Sequence, residues 1–140
     1  MRILFLHPNF PAQFKSPCIS LSQEGKHDIL FLCQTHHGRH IPGIKKLVLK
    51  GRGSHERTLQ YSKTEHDRSM YRASVYCDAF LSLKQSGWSP EIVLSHCGWG
   101  CGIYVKDIWP ESRFITYLEW WFSPSSELQK RLQTNQYYQL

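Results

Sequence analysis

The chain has 140 residues, 41% of them hydrophobic and 14% aromatic, and a formal net charge of +6. This length fits one folded domain and leaves no room for two full ones, and the composition is that of a globular protein. No apolar run approaches the roughly 18 residues needed to cross a bilayer. The charge favours anionic partners such as phosphates, nucleotides or an acidic membrane surface, although a plain basic surface explains it equally well.

The first residues are not typical of an export signal. Arg2 precedes only four apolar residues, after which His7 and Pro8 follow at once, so this segment is better explained as a strand. The five cysteines are an odd number without a repeating framework, for which reduced thiols are the usual state. We therefore expect a cytoplasmic protein.

Short apolar runs alternate with helical patterns. In chain order, the predicted elements are a strand at Arg2–Leu6, a helix at Ser16–Glu24, strands at Asp28–Cys33 and Ile44–Leu49, a helix at Glu65–Gln85, a strand at Glu91–Ser95, a helix at Cys101–Ile108 and a strand at Phe114–Leu118. Continuous apolar runs of this kind indicate buried parallel strands. We predict an α/β fold, Rossmann-like and doubly wound, with a mainly parallel sheet and helices on both faces.

The longest predicted helix shows its apolar face most clearly. Helical spacing relates Met70, Ala73, Cys77, Phe80 and Leu81, which predicts that these residues face the core. We assign residues 1–122, which include this helix, to the Rossmann-like domain. The polar, Gln-rich residues 123–140 are interpreted as a linker or C-terminal helix that leads towards a domain absent from this chain.

Three unusual segments follow predicted strands, namely His7–Pro11, His96–Gly100 and Glu119–Phe122. In open α/β sheets, ligands bind beyond the carboxyl ends of the strands. Imidazoles suit proton transfer or hydrogen bonding to phosphate and hydroxyl groups, and aromatic faces suit sugar rings. Each segment also has a structural explanation, as a turn, a structural histidine or a packing cluster.

Other signals for chemistry are weak. His96, Cys97 and Cys101 include a lone C-x3-C without a second ligand pair, so we predict no metal site. The cluster His36–His40 is more simply a solvated loop, although it could contact an anionic ligand. The loop that begins at Gly51 has neither the P-loop nor the dinucleotide pattern. The sequence has no nucleophile elbow and no nucleic-acid-binding motif, and we expect no nucleic-acid partner.

Four motifs resemble one family in the right order: MRILFLHPNFPAQF, HCGWG, YVKDIWPES and YLEWWF. They are similar to the N-terminal domain of bacterial family-4 (group 1) glycosyltransferases. The resemblance implies the N-terminal half of a GT-B fold, which binds the acceptor while a C-terminal domain holds the nucleotide-sugar. It also implies retention of anomeric configuration without a required metal, and no cofactor in this chain.

The resemblance also assigns roles to residues. His96 is implied to be the catalytic residue, and the residues implied to bind substrate are His7, Asn9, Gly98, Trp99, Glu119 and Trp120. The sequence departs from the family pattern at Cys101, where the H-x-G-W-G-E turn of relatives has an acid. The Gly-Gly pair that many relatives carry after the first strand is also absent.

We therefore expect the acceptor-binding domain of a retaining, hexosyltransferase-type glycosyltransferase, inactive without its donor-binding domain. The expected partners are a sugar acceptor, a nucleotide-sugar and the C-terminal donor-binding domain. A membrane surface is a further candidate, which would place the protein peripherally on the inner face of the membrane. The alternative hypothesis is a non-catalytic, flavodoxin-like binding or protein-interaction module.

Overall fold

Five parallel strands form the sheet. The computed structural model of the protein describes residues 1–51 and 64–119. In this part of the chain the strands are β1 (Arg2–Leu6), β2 (Asp28–Cys33), β3 (Ile44–Val48), β4 (Ile92–His96) and β5 (Arg113–Tyr117). Each predicted strand is present, with its ends within one residue of those expected. The agreement follows from the apolar runs that a strand covered on both faces requires.

The strand order is β3-β2-β1-β4-β5, and all four neighbouring pairs are parallel. The chain adds β2 and β3 on one side of β1 and then crosses to place β4 on the other side. The switch point, where a ligand cleft is expected, is therefore between β1 and β4. This is the Rossmann order, so the flavodoxin-like topology of the alternative hypothesis, with order 2-1-3-4-5, is wrong.

Three α-helices connect the strands in the described residues: α1 (Lys15–Gln23), α2 (Glu65–Gln85) and α3 (Val105–Ile108). Helix α2 begins with a reciprocal capping box between Thr64 and Asp67. Helix α3 has four residues, so the helix predicted over Cys101–Ile108 is too long. Gly100 has a left-handed φ of +77°, and the chain continues in turns before α3 begins.

The helices cover both faces of the sheet, as predicted. On one face α1 packs against a cluster that includes Ile3, Phe5 and Phe31. On the other face α2 and α3 pack against Leu4, Leu6, Leu32 and Val93, together with other buried residues. These two apolar layers hold the strand ends, and therefore the residues after them, in fixed positions.

The buried face of α2 matches the predicted one in part, because Ala73 and Phe80 are buried and Cys77 packs against the core. Met70 and Leu81 are 37% and 44% exposed, whereas Tyr71 and Tyr76 are buried. The hydroxyl of Tyr76 donates to the carbonyl of Leu32 at 3.3 Å. This hydrogen bond satisfies the polar end of a side chain that the sequence pattern does not place in the core.

Some sequence-based predictions lie outside the described residues. These are the linker or helix at 123–140, the proposed contact by Trp120, and the loop beyond Gly51. In residues 1–51 and 64–119, none of the helices combines the length and apolar character needed to cross a membrane.

Candidate functional site

Two histidines meet at the switch point of the sheet. Leu6 pairs with Ser95 in the β1–β4 register, so His7 and His96, one residue further along each strand, lie side by side. Their ring centroids are 5.4 Å apart in an edge-to-face arrangement, and both side chains are buried. The structure thus brings together the two imidazoles that the sequence places at separate strand ends.

The ring of His96 is held at both nitrogens. The chain turns back in a 3-10 turn at Cys97–Trp99, and this turn directs the Gly98 N–H at the Nδ1 of His96 over 3.0 Å. Nε2 lies 3.0 Å from Oε2 of Glu119. Because Nδ1 accepts a hydrogen bond, the neutral ring carries its proton on Nε2 and donates it to the carboxylate.

Glu119 supplies the exposed charge of the site. Its other carboxylate oxygen accepts from Nε2 of Gln13 at 3.3 Å. The hydrogen bond from His96, followed by that from Gln13, lowers the pKa of Glu119 below its ordinary 4.5, so the carboxylate is ionised at neutral pH. Sequence reasoning did not single out Gln13, because only its contact with a residue 106 positions away reveals its place at the site.

At the site, His7 carries a buried polar atom that lacks a partner among the described residues. Both the N–H and the carbonyl oxygen of Asn9 lie 2.9 Å from its Nδ1. Nε2 is buried and has no hydrogen-bond partner among the described residues. Burial lowers the pKa of His7 from 6.5 to about 4, so the ring is neutral at physiological pH. A buried, unsatisfied nitrogen is costly, and this one lies beside the His96 ring at the carboxyl end of the sheet.

Asn9 fixes the loop that carries His7. Its Oδ1 accepts from the Thr35 hydroxyl at 2.5 Å, and the two residues form an isolated parallel bridge. The loop after β1 is therefore tied to the segment after β2. This side chain holds the wall of the site, which is the more structural of the roles considered for it.

Trp99 forms an aromatic wall beside the histidines. Its ring is 36% exposed and lies 6.1 Å from the ring of His7 and 6.1 Å from that of His96. The Arg72 guanidinium lies 5.3 Å from the Trp99 ring centroid. It donates to the carbonyl of Trp99 at 3.1 Å and to the side-chain oxygen of Gln34 at 3.2 Å. Sequence patterning gave Arg72 no role beyond lying off the apolar face of its helix.

The glycines of HCGWG have different functions in the turn. A Cβ on Gly100 would lie 2.4 Å from the carbonyl oxygen of Ser69, at a backbone φ of +77°. Only glycine fits there. A Cβ on Gly98 would instead meet the His96 ring at 3.4 Å, an ordinary contact. Gly98 therefore contributes its N–H to the site, and Gly100 allows helix α2 to approach the turn.

Cys101 faces the protein interior rather than the site. It is buried, and burial raises its pKa to about 12, which keeps the thiol protonated and unreactive. In the part of the chain that the structure describes, no group of three or more His, Cys, Asp or Glu side chains is arranged to hold a metal ion. The chemistry available at the site is hydrogen bonding, the carboxylate charge and aromatic contact.

One comparison with known proteins identifies a family. A model described as the glycosyl transferase family 4 group matches residues 25–131, well over half of the chain. The matched range contains the HCGWG, YVKDIWPES and YLEWWF motifs and begins after the His7 loop. No curated protein sequence matches the chain significantly.

Proposed function

The chain belongs to the glycosyl transferase family 4 group, and from this premise we propose that it binds the acceptor in a retaining transfer from a nucleotide-sugar. The observation that carries the proposal is the His96–Glu119 pair, whose nitrogen and oxygen are 3.0 Å apart at the end of β4. This pair lies at the switch point of the sheet, where α/β proteins bind their ligands.

In this proposal Glu119 contacts the acceptor. Its carboxylate is ionised and partly exposed, with 38% of its side chain accessible. It can accept a hydrogen bond from the hydroxyl that attacks the sugar. His96 donates its Nε2 proton to this carboxylate and holds it in position, and a proton that passes from the attacking hydroxyl to the carboxylate would leave Glu119 neutral. The fixed Nδ1 contact from Gly98 keeps the ring oriented without reorganisation during the reaction.

His7 and Trp99 complete the binding surface. An oxygen of the acceptor or of the donor phosphates would satisfy the unpartnered Nε2 of His7. The half-exposed ring of Trp99 offers an apolar face to a sugar ring. Because His7 is neutral at physiological pH, it would contribute a hydrogen bond rather than a charge.

We assign the donor to a second, C-terminal domain. The loop after β1 reads HPNFPAQF and lacks the glycine-rich run that brings a backbone close to phosphates. In the same proposal, this chain holds the acceptor and the donor carries a hexosyl group. The protein attaches to the inner membrane surface.

The proposal is tested by a donor screen on the full-length protein. Nucleotide release is measured with a panel of nucleotide-sugars and sugar acceptors, and the anomeric proton of the product is followed by NMR. We expect release that depends on the acceptor, and a product with the anomeric configuration of the donor. An inverted product would overturn the retaining mechanism. Release without acceptor dependence would contradict the acceptor-binding assignment.

A further inference from the structure

A basic cleft lies on the other side of the loop that carries His7. It has a volume of about 480 Å³ and is lined by Pro11, Ala12, Lys15, Arg39, His40 and Ile41. Lys15 begins helix α1, whereas Arg39 and His40 follow β2. The cleft is large enough for a phosphorylated sugar or a diphosphate group, and no aspartate or glutamate is among these lining residues.

Within the described part of the chain, the lysine and arginine of the cleft have no carboxylate opposite them. Neither Lys15 nor Arg39 forms an ion pair within residues 1–51 and 64–119, whereas Lys26 pairs with Glu24 and Lys45 pairs with Asp28. Exposed cations that converge on a concave surface without carboxylates raise the local concentration of anions. The structure thus leaves its positive charge unneutralised at this cleft.

A third cation supports the Arg39 segment. The ammonium group of Lys46 hydrogen-bonds to the carbonyl oxygen of Arg39 and lies 4.9 Å from the centroid of the Phe10 ring. Phe10 is fully buried, and its N–H donates to the carbonyl of Thr35 at 2.8 Å. The segment after β2 is therefore tied to the loop after β1 by these contacts.

The cleft and the His96–Glu119 pair share one wall. In the 3-10 turn Ala12–Phe14, Ala12 lines the cleft and the neighbouring Gln13 bonds to Glu119. Two consecutive residues of this turn therefore connect the cleft to the carboxylate.

We propose that this cleft binds a phosphate or pyrophosphate group of the acceptor, through Lys15 and Arg39. The inference rests on the proposed function, because it names the chemical class of the acceptor bound at the neighbouring site. A guanidinium and an ammonium group on facing elements suit a polyanionic oxygen cluster, the guanidinium by paired donors and the ammonium as a compact charge. The phosphate can belong to a soluble sugar phosphate or to a lipid headgroup.

The test uses inorganic pyrophosphate as the probe on the full-length protein. Backbone amide shifts are followed by NMR during titration, and we expect them to concentrate at Ala12, Lys15, Arg39 and His40. The double substitution Lys15→Gln/Arg39→Gln should weaken binding by about tenfold or more. The control Lys26→Gln/Lys45→Gln removes the same charge at the amino ends of the strands. It should change the affinity by less than about twofold.

Equal weakening in both double variants would mean that only the net charge matters, and it would overturn the proposal. So would a titration that leaves the amides of Ala12, Lys15, Arg39 and His40 unshifted, whatever pyrophosphate does at the donor-binding domain. Sedimentation with vesicles of phosphatidylglycerol and phosphatidylcholine distinguishes the sources. Vesicle binding that pyrophosphate displaces, and that Lys15→Gln/Arg39→Gln removes, supports a lipid phosphate. Pyrophosphate binding without vesicle binding supports a soluble one. Because the titration needs no donor, its failure would leave glycosyl transfer itself unaffected.

Discussion

The charged groups at the amino ends of the parallel strands differ in their contacts from those at the carboxyl ends. At the amino end, Asp28 accepts hydrogen bonds from Lys45 at 2.8 Å and from the Trp88 indole at 2.9 Å. Nearby, the Glu91 carboxylate accepts from the N–H of Arg2 at 2.7 Å. These two carboxylates are therefore matched by donors of the protein itself, whereas Nδ1 of His27 at the same end is buried without a partner in the described residues.

At the carboxyl end the polar groups retain unused capacity. The Nε2 of His7 is buried without a partner in the described residues, the Glu119 carboxylate is partly exposed, and Lys15 and Arg39 line a cleft without acids. Burying unsatisfied polar groups costs free energy, and in the proposed function a bound acceptor would offset this cost. Under that proposal the amino ends of the strands support the fold and the carboxyl ends bind the ligand.

The largest expected effect is that of His96→Ala on turnover. Loss of the group that orients Glu119 and lowers its pKa should lower kcat by about 10²–10³-fold, measured as nucleotide release with the donor and acceptor found in the screen. His96→Asn is the matched control for folding, because its Oδ1 can still accept from the Gly98 N–H. Near wild-type turnover in a folded His96→Ala variant would remove His96 from the mechanism.

Substitution of Gly100 should affect stability rather than chemistry. Gly100→Ala places a Cβ 2.4 Å from a backbone oxygen at a left-handed φ, and we expect a loss of about 3 kcal/mol in the free energy of unfolding. Gly98→Ala should lose less than about 1 kcal/mol, because its Cβ makes an ordinary contact. Urea denaturation measures both free energies of unfolding. Equal losses would show that the close contact at Gly100 does not make this position more sensitive than Gly98.

The buried imidazole of His7 should make stability depend on pH. Its pKa is 6.5 in the unfolded chain and about 4 in the folded one, so the unfolded state binds the proton first as the pH falls. Stability should therefore be full above pH 6.5 and decrease by about 3 kcal/mol as the pH falls to 4. In denaturation curves across this range, His7→Gln should remove most of the dependence. An unchanged slope would show that His7 is not the group responsible.

The smallest expected effect is that of Asp28→Asn at the amino end. The amide keeps an acceptor for Lys45 or Trp88 but loses its charge, and the side chain is partly exposed. We expect a decrease of about 1 kcal/mol or less in the free energy of unfolding. A loss several times larger, measured by urea denaturation, would show that the amino end depends on charge more than its exposure indicates.

The sequence predicts β1, β2 and β4 well because each is a largely apolar run in the middle of the sheet, whereas β3 and β5 are edge strands with mostly exposed side chains. It also places His7, His96 and Glu119 at strand ends that parallel pairing brings to one edge of the sheet. It does not predict the bonds between them. The His96–Glu119 contact depends on the β4–β5 register, in which His96 pairs with Tyr117.

Other features depend on tertiary contacts that periodicity does not show. Tyr76 is buried because the carbonyl of Leu32 accepts from its hydroxyl, and Met70 is exposed instead. The basic cleft joins Lys15 and Arg39, which are separated in sequence and come together only through the loop after β1. Only the second of them lies in a segment, His36–His40, that composition alone indicates as a possible anion contact.

The most direct test of the two-ended account compares two carboxylate-to-amide changes in turnover. Glu119→Gln alters the carboxyl end and Asp28→Asn the amino end, and each removes one charge that two side-chain donors contact. Nucleotide release by the full-length protein should fall by at least about tenfold in Glu119→Gln and change by less than about twofold in Asp28→Asn. Equal turnover in the two folded variants would contradict the assignment of glycosyl transfer to the carboxyl end of the sheet.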